Sequence, residues 1–173
     1  MSDFGAPVAA PWRASVVQDF AASELFDRTF QEGMELVEET AAYLDGAGRH
    51  DSKALSRSGA LAYAACSMRL TTRLMQMASW LLVQRAVREG DMAPADACQD
   101  RYRITYPQGT AEPHEGDAEL PASLKALSER ADRIYERVVH LDQRMYLEPG
   151  QDEQAHPIAS QMERIQAAFS GAA

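Results

Sequence analysis

The chain has 173 residues, 46% of them hydrophobic, and a formal net charge of −9, which suits one compact domain that buries about 70% of the surface its unfolded form exposes. The negative charge would repel nucleic-acid phosphates, so apolar or basic protein surfaces are the expected partners and direct nucleic-acid binding is not. Cys66 and Cys98 form no C-x-x-C pair, and no uncharged apolar run nears the roughly 18 residues of a membrane span; a cytoplasmic chain without a disulfide framework, signal peptide or membrane anchor is expected.

In chain order, residues 1–22 read as an N-terminal arm, with Ser15–Phe20 as a possible extension of the helix that follows. From Ser23 to Asp45 the positions Phe26, Phe30, Gly33, Val37, Ala41 and Leu44 recur at steps of four and three and predict a first long helix. Ser23 can cap its start, and Gly46 and Gly48 suit its end. A second helix is predicted from Ser52 to Glu89 without a proline, roughly 55 Å long at about 1.5 Å per residue. That is more than the first helix can cover, so part of its face should meet another element or another subunit. Gly90 ends it, and Pro94 suits the first turn of a short helix in APADACQDRYRI.

An acidic, proline-rich loop spans 104–120. Pro121 then opens a third helix in which Leu120, Leu124, Leu127, Ala131, Ile134 and Val138 begin an unbroken heptad stripe ending near Leu147. The expectation is an all-α three-helix bundle over 23–147, built of long antiparallel helices. Residues 23–51 hold eight acids against Arg28 and Arg49, whereas 52–88 hold six basic residues and no acid. Opposite fields favour these two helices as neighbours, although each exposed pair is worth only about 0–1 kcal/mol.

Residues 148–173 read as a flexible linker and an amphipathic tail, in which Ile158, Met162, Ile165 and Phe169 share one face. So short a helix is marginal alone in water and orders on docking. These four residues, with the small apolar end Ala172 and Ala173, are the candidate partner-binding residues; the end reads as an ordinary frayed terminus or as the small apolar kind of ending an unfoldase can grip.

No constellation for chemistry is found. A di-iron bundle needs inward Glu-x-x-His pairs from facing helices, and Glu153 with His156 is the single such spacing, placed in the linker before Pro157. Glu136 and His140 read as a solvent-facing pair, and His50 and His114 fall in loops. Cys66 lies in ALAYAAC, a small-residue run that reads as a helix contact. Neither GxSxG nor a phosphate-cradling glycine motif occurs. Met68, Met75, Met77 and Trp80 fit core filling or an adaptable groove, and the acid-bearing segment around Asp96 and Asp100 argues against a helix-turn-helix. No catalytic residue, metal or cofactor is expected.

Three extended segments, SELFDRTFQEGMELVEETAAYLDG, LSRSGALAYAACSMRLTTRLMQMASWLLVQRAV and LKALSERADRIYERVVHLDQRMY, resemble the alphaproteobacterial family of regulators of CtrA degradation, the RcdA family, first catalogued as a domain of unknown function. The resemblance runs the full length and marks no active site. It implies a homodimeric three-helix bundle that acts as an adaptor for the ClpXP protease in the cell cycle. Such an adaptor tethers substrates, CtrA among them, to a protease primed by the response regulator CpdR, with the cyclic-di-GMP effector PopA as a further partner and recruitment to a cell pole. The competing reading is an oligomerisation scaffold with no role in delivery.

Overall fold

In the computed structural model the described residues are 11–104 and 115–146. Ser23 separates two helices that the sequence pattern runs together. Its hydroxyl donates to the Phe20 carbonyl (2.6 Å) and accepts from the Phe26 N–H (3.2 Å), closing α1 (Pro11–Ala21) and capping α2 (Glu24–Asp45). Residues 11–21 are therefore a packed helix and no arm: Val17 and Ala21 are buried, and α1 lies against the second long helix. Residues 1–10 lie outside the described part.

Gly46 closes α2 by donating its N–H to the carbonyls of Ala42 and Tyr43. A seven-residue helix, α3 (Ala47–Lys53), follows where a helix end was expected. Gly48 sits inside it, buried, and a Cβ there would meet the Tyr63 hydroxyl at 2.5 Å. It is a packing glycine. Beside it Tyr43 donates to Asp51 (2.8 Å), and burial first, then this bond, raises the phenol's pKa.

The longest helix, α4 (Arg57–Glu89), begins five residues later than the apolar pattern suggests. The Ser56 hydroxyl accepts from the Gly59 N–H and donates to Glu119 (2.7 Å), which also accepts the Ser56 N–H (3.2 Å). These bonds, the hydroxyl's above all, hold the Glu119 carboxyl below its usual pKa. Gly90, at φ 81°, ends α4 in the left-handed conformation that favours glycine. A single turn, α5 (Pro94–Ala97), starts on the expected proline, short 3-10 turns occupy Asp100–Tyr102 and Asp117–Glu119, and α6 runs Ala122–Tyr146. No strand occurs among the described residues, and the all-α bundle of three long helices, α2, α4 and α6, stands as expected.

The core lies where α4 meets α2 on one side and α6 on the other. Phe26 and Leu36 of α2, Leu70 and Met77 of α4, and Leu124 and Val138 of α6 are all at most 2% exposed. Each such side chain stabilises by about 1.5–3 kcal/mol before ordering costs. Gly33 brings the α2 backbone close to α4, since a Cβ there would meet Leu81 Cδ1 at 2.8 Å.

At one end Phe20 bridges Phe26 and Trp80 through ring contacts at 5.8 and 5.7 Å. The Trp80 indole donates to Asp142 (3.0 Å), and the Arg103 guanidinium reaches the other carboxylate oxygen at 3.2 Å. The carboxylate is only 2% exposed and the guanidinium 29%. This cluster ties α4, α6 and the segment after α5 together.

α2 and α4 are neighbours as expected, but the acids of α2 divide between α4 and α6. Asp27 does pair with Arg88 of α4, but Glu32 and Glu39 pair with Arg137 (2.6 Å) and Arg130 (2.5 Å) of α6. Arg73 of α4 pairs with Asp132 of α6. The helices close a ring of exposed pairs, so charge selects the arrangement of all three while apolar burial supplies most of the stability.

Asp142→Ala should destabilise the chain by roughly 3 kcal/mol, at the low end for breaking a buried pair because Arg103 keeps contact with water. Asp142→Asn, which can still accept from Trp80, should lose less; urea unfolding of both variants checks the order. Gly33→Leu should cost about 1–3 kcal/mol by overpacking against Leu81 and Met77, read as a lower urea midpoint with unchanged slope.

Candidate protein-interaction surface

Cys66 and Cys98 are buried and unbridged, and burial raises the Cys98 thiol's pKa, which disfavours a nucleophilic thiolate. Glu136 and His140 are both exposed on α6, and His50 is exposed on α3. Among the described residues no cluster of three His, Cys, Asp or Glu could hold a metal. No helix among them is long and apolar enough to cross a membrane. Glu153, His156 and His114 lie outside the described residues, as do the candidate residues Ile158, Met162, Ile165, Phe169, Ala172 and Ala173.

The structure divides the methionine group. Met77 and Trp80 are core, at 0% and 2% exposure, whereas Met68 and Met75 stand in solvent at 71% and 65%. Leu61 and Leu82 are also exposed, at 67% and 52%. These four residues are seven apart, which keeps them on one slowly drifting line along α4. Between them fall Ala64, Thr71, Thr72, Ala78 and Ser79, so the line is an uncharged seam about 31 Å long at about 1.5 Å per residue. A contiguous exposed apolar stripe of this kind marks an interaction surface.

The seam was present in the sequence but hidden among the other apolar positions of the same helix. Its spacing of seven was the available signal; what was missing was a way to tell it from the core line.

Two grooves flank the seam. On the α2 side Val37, Leu44 and Leu74 line a volume of about 330 Å³ that Met75 and Ala78 overlook. On the other side Trp80, Val83 and Ile104 line one of about 430 Å³, edged by Arg101 and Tyr102. The Arg101 guanidinium stacks 4.6 Å from the Tyr102 ring centroid. Apolar floors with a few polar edges suit the capture of apolar side chains from a protein segment.

A family model described as "Protein of unknown function (DUF1465)" matches residues 17–169. A search of curated proteins found no match. Among solved structures, the chain is similar to "RcdA from Caulobacter crescentus CB15": 64% identity over 76% of this chain and 99% of that one, with a TM-score of 0.63. Neither match indicates an enzymatic family. Family model and solved structure agree, and the chain belongs to the DUF1465 family, the family of RcdA.

Proposed function

We propose that the chain is a non-enzymatic adaptor for regulated proteolysis. In this reading it tethers cell-cycle substrates such as CtrA to ClpXP primed by CpdR, with PopA as a further partner, in the cytoplasm and at a cell pole. The observation that carries the reading is the 64% identity to RcdA across the whole of that solved chain. The exposed seam and grooves of α4 are in keeping with it. A tether raises the local concentration of a weakly bound substrate to about the millimolar range and needs no chemical step. Residues 158–169 serve as the contact arm through Ile158, Met162, Ile165 and Phe169, with Ala172 and Ala173 beyond them.

The same reading includes a homodimer, and the seam favours it. Its order is Leu61, Met68, Met75, Leu82, which is unchanged when read backwards about a point between Thr71 and Thr72. Two antiparallel copies of α4 would set Leu61 against Leu82 and Met68 against Met75, the self-complementarity that a two-fold interface requires. That arrangement also supports the scaffold reading, which differs only in having no delivery step.

Deleting residues 151–173 should leave the bundle of α2, α4 and α6 folded, with a single cooperative unfolding transition, and abolish delivery of CtrA in a reconstituted ClpXP and CpdR degradation assay. Unimpaired delivery would remove the arm from the mechanism. Replacing Met68 and Met75 together by glutamate should convert a dimer to a monomer in sedimentation, with the circular dichroism spectrum retained because both side chains are exposed. A sedimentation coefficient unchanged by the double substitution would place the dimer contact elsewhere.

A further inference from the structure

The groove between α4 and Asp100–Ile104 has a floor that is almost wholly buried: Trp80 is 2% and Ile104 4% exposed. Its volume of about 430 Å³ is large enough for several side chains. We propose that this groove is the resting dock of the chain's own segment Ile158–Phe169, which lies in it as an amphipathic helix with Ile158, Met162, Ile165 and Phe169 facing the floor.

The first support is where the chain leaves the described fold. Asp142, in the last turns of α6, is bonded to Trp80 and Arg103, both of which line the groove. Tyr146, where α6 ends, follows Asp142 by about one helical turn. The intervening residues 147–157 span up to about 36 Å when extended, ample to turn the chain back alongside α4.

Length matches as well. The α4 wall of the groove runs from Thr72 to Val83, and Ile158 to Phe169 covers the same eleven-residue step, about 16 Å as a helix in each case. Charge agrees in sign: residues 147–173 carry Glu148, Asp152, Glu153 and Glu163 against Arg164 alone. The groove edge presents the exposed Arg101, and no acid lines the groove. A helix of this length gains too little from its own hydrogen bonds to persist in water, so it orders here by contact with the exposed Met75 and the partly exposed Val83 beside the buried floor.

Leu61, Met68 and Leu82 of the seam do not line the groove, whereas Thr72, Met75 and Ser79 border both surfaces, so a seam dimer and the docked tail meet along that edge. The consequence is regulatory. The tail face that would grip a partner is the face buried in the groove, so the arm is withheld until a partner competes for it. The inference concerns where the arm rests and holds whether or not the arm delivers substrate.

Arg164 is the sole Lys or Arg beyond Arg144, so tryptic removal of residues 165–173 from the full chain reports on docking directly by intact-mass spectrometry. Cleavage of a docked site tracks the population of the open form. The wild-type chain should be cut at Arg164 at least about ten-fold more slowly than Val83→Glu, which charges the groove, or Phe169→Asp, which charges the tail face five residues from the scissile bond. Equal rates in all three chains would overturn the dock. Phe169→Asp alters no residue of the bundle, so it decides the matter if Val83→Glu fails to fold. Acceleration by Phe169→Asp with none from a folded Val83→Glu would overturn this groove as the dock. Protection that disappears on dilution would overturn docking within one chain. None of these rates requires the protease system, so the adaptor reading can fail without this inference failing, and the reverse.

Discussion

The structure depends on a single mismatch: α4 is apolar along more of its surface than the other described elements cover. One line, through Leu70, Leu74, Met77 and Leu81, is taken up by α2 and α6 and makes the core. A second line, Leu61, Met68, Met75 and Leu82, is left in solvent. Length adds to the mismatch, since α4 has 33 residues against 22 in α2 and 25 in α6. The short elements are arranged around the surplus. α1 and α5 pack on α4 at the Trp80 end, while α3 and the Asp117–Glu119 turn close the Ser56 end.

Polar groups fix these attachments where apolar packing alone would leave them free to slide. A buried carboxylate such as Asp142 is costly unless its partners are fully provided, and the indole of Trp80 and the guanidinium of Arg103 provide them. The bonds therefore specify the path of the segment after α5, and with it the wall of the larger groove. At the other end Glu119 is more exposed and does a related task by accepting from the Ser56 backbone and hydroxyl, so the loop before α6 is tied to the start of α4. Interaction surface and structural ties share residues, which is why Trp80 serves the core, the Asp142 bond and the groove floor together.

The uncovered seam has the character of a surface that recognises proteins. A molecule that works by proximity needs surfaces whose affinities compete with one another, and this fold sets a self-complementary seam beside a groove within reach of its own tail. Competition among such sites is a physical route to regulation that requires no cofactor.

The three long helices were legible in the sequence because their 4-3 periodicity and their caps, Ser23, Gly46 and Gly90, are local properties of the chain. The acid and base blocks were legible too, but their pairing was not, since Glu32 and Glu39 find arginines of α6 about a hundred residues away. Packing of α1, the role of Gly48 and the tie between Ser56 and Glu119 likewise depend on neighbours distant in sequence. The seam shows the division most plainly. Sequence by itself determined that α4 carries Leu61, Met68, Met75 and Leu82 at steps of seven, along with a second apolar line at similar spacing. Only the tertiary structure decided which line became core, because a helix apolar on several sides has no internal preference for the side it buries; the positions of α2 and α6 make that choice.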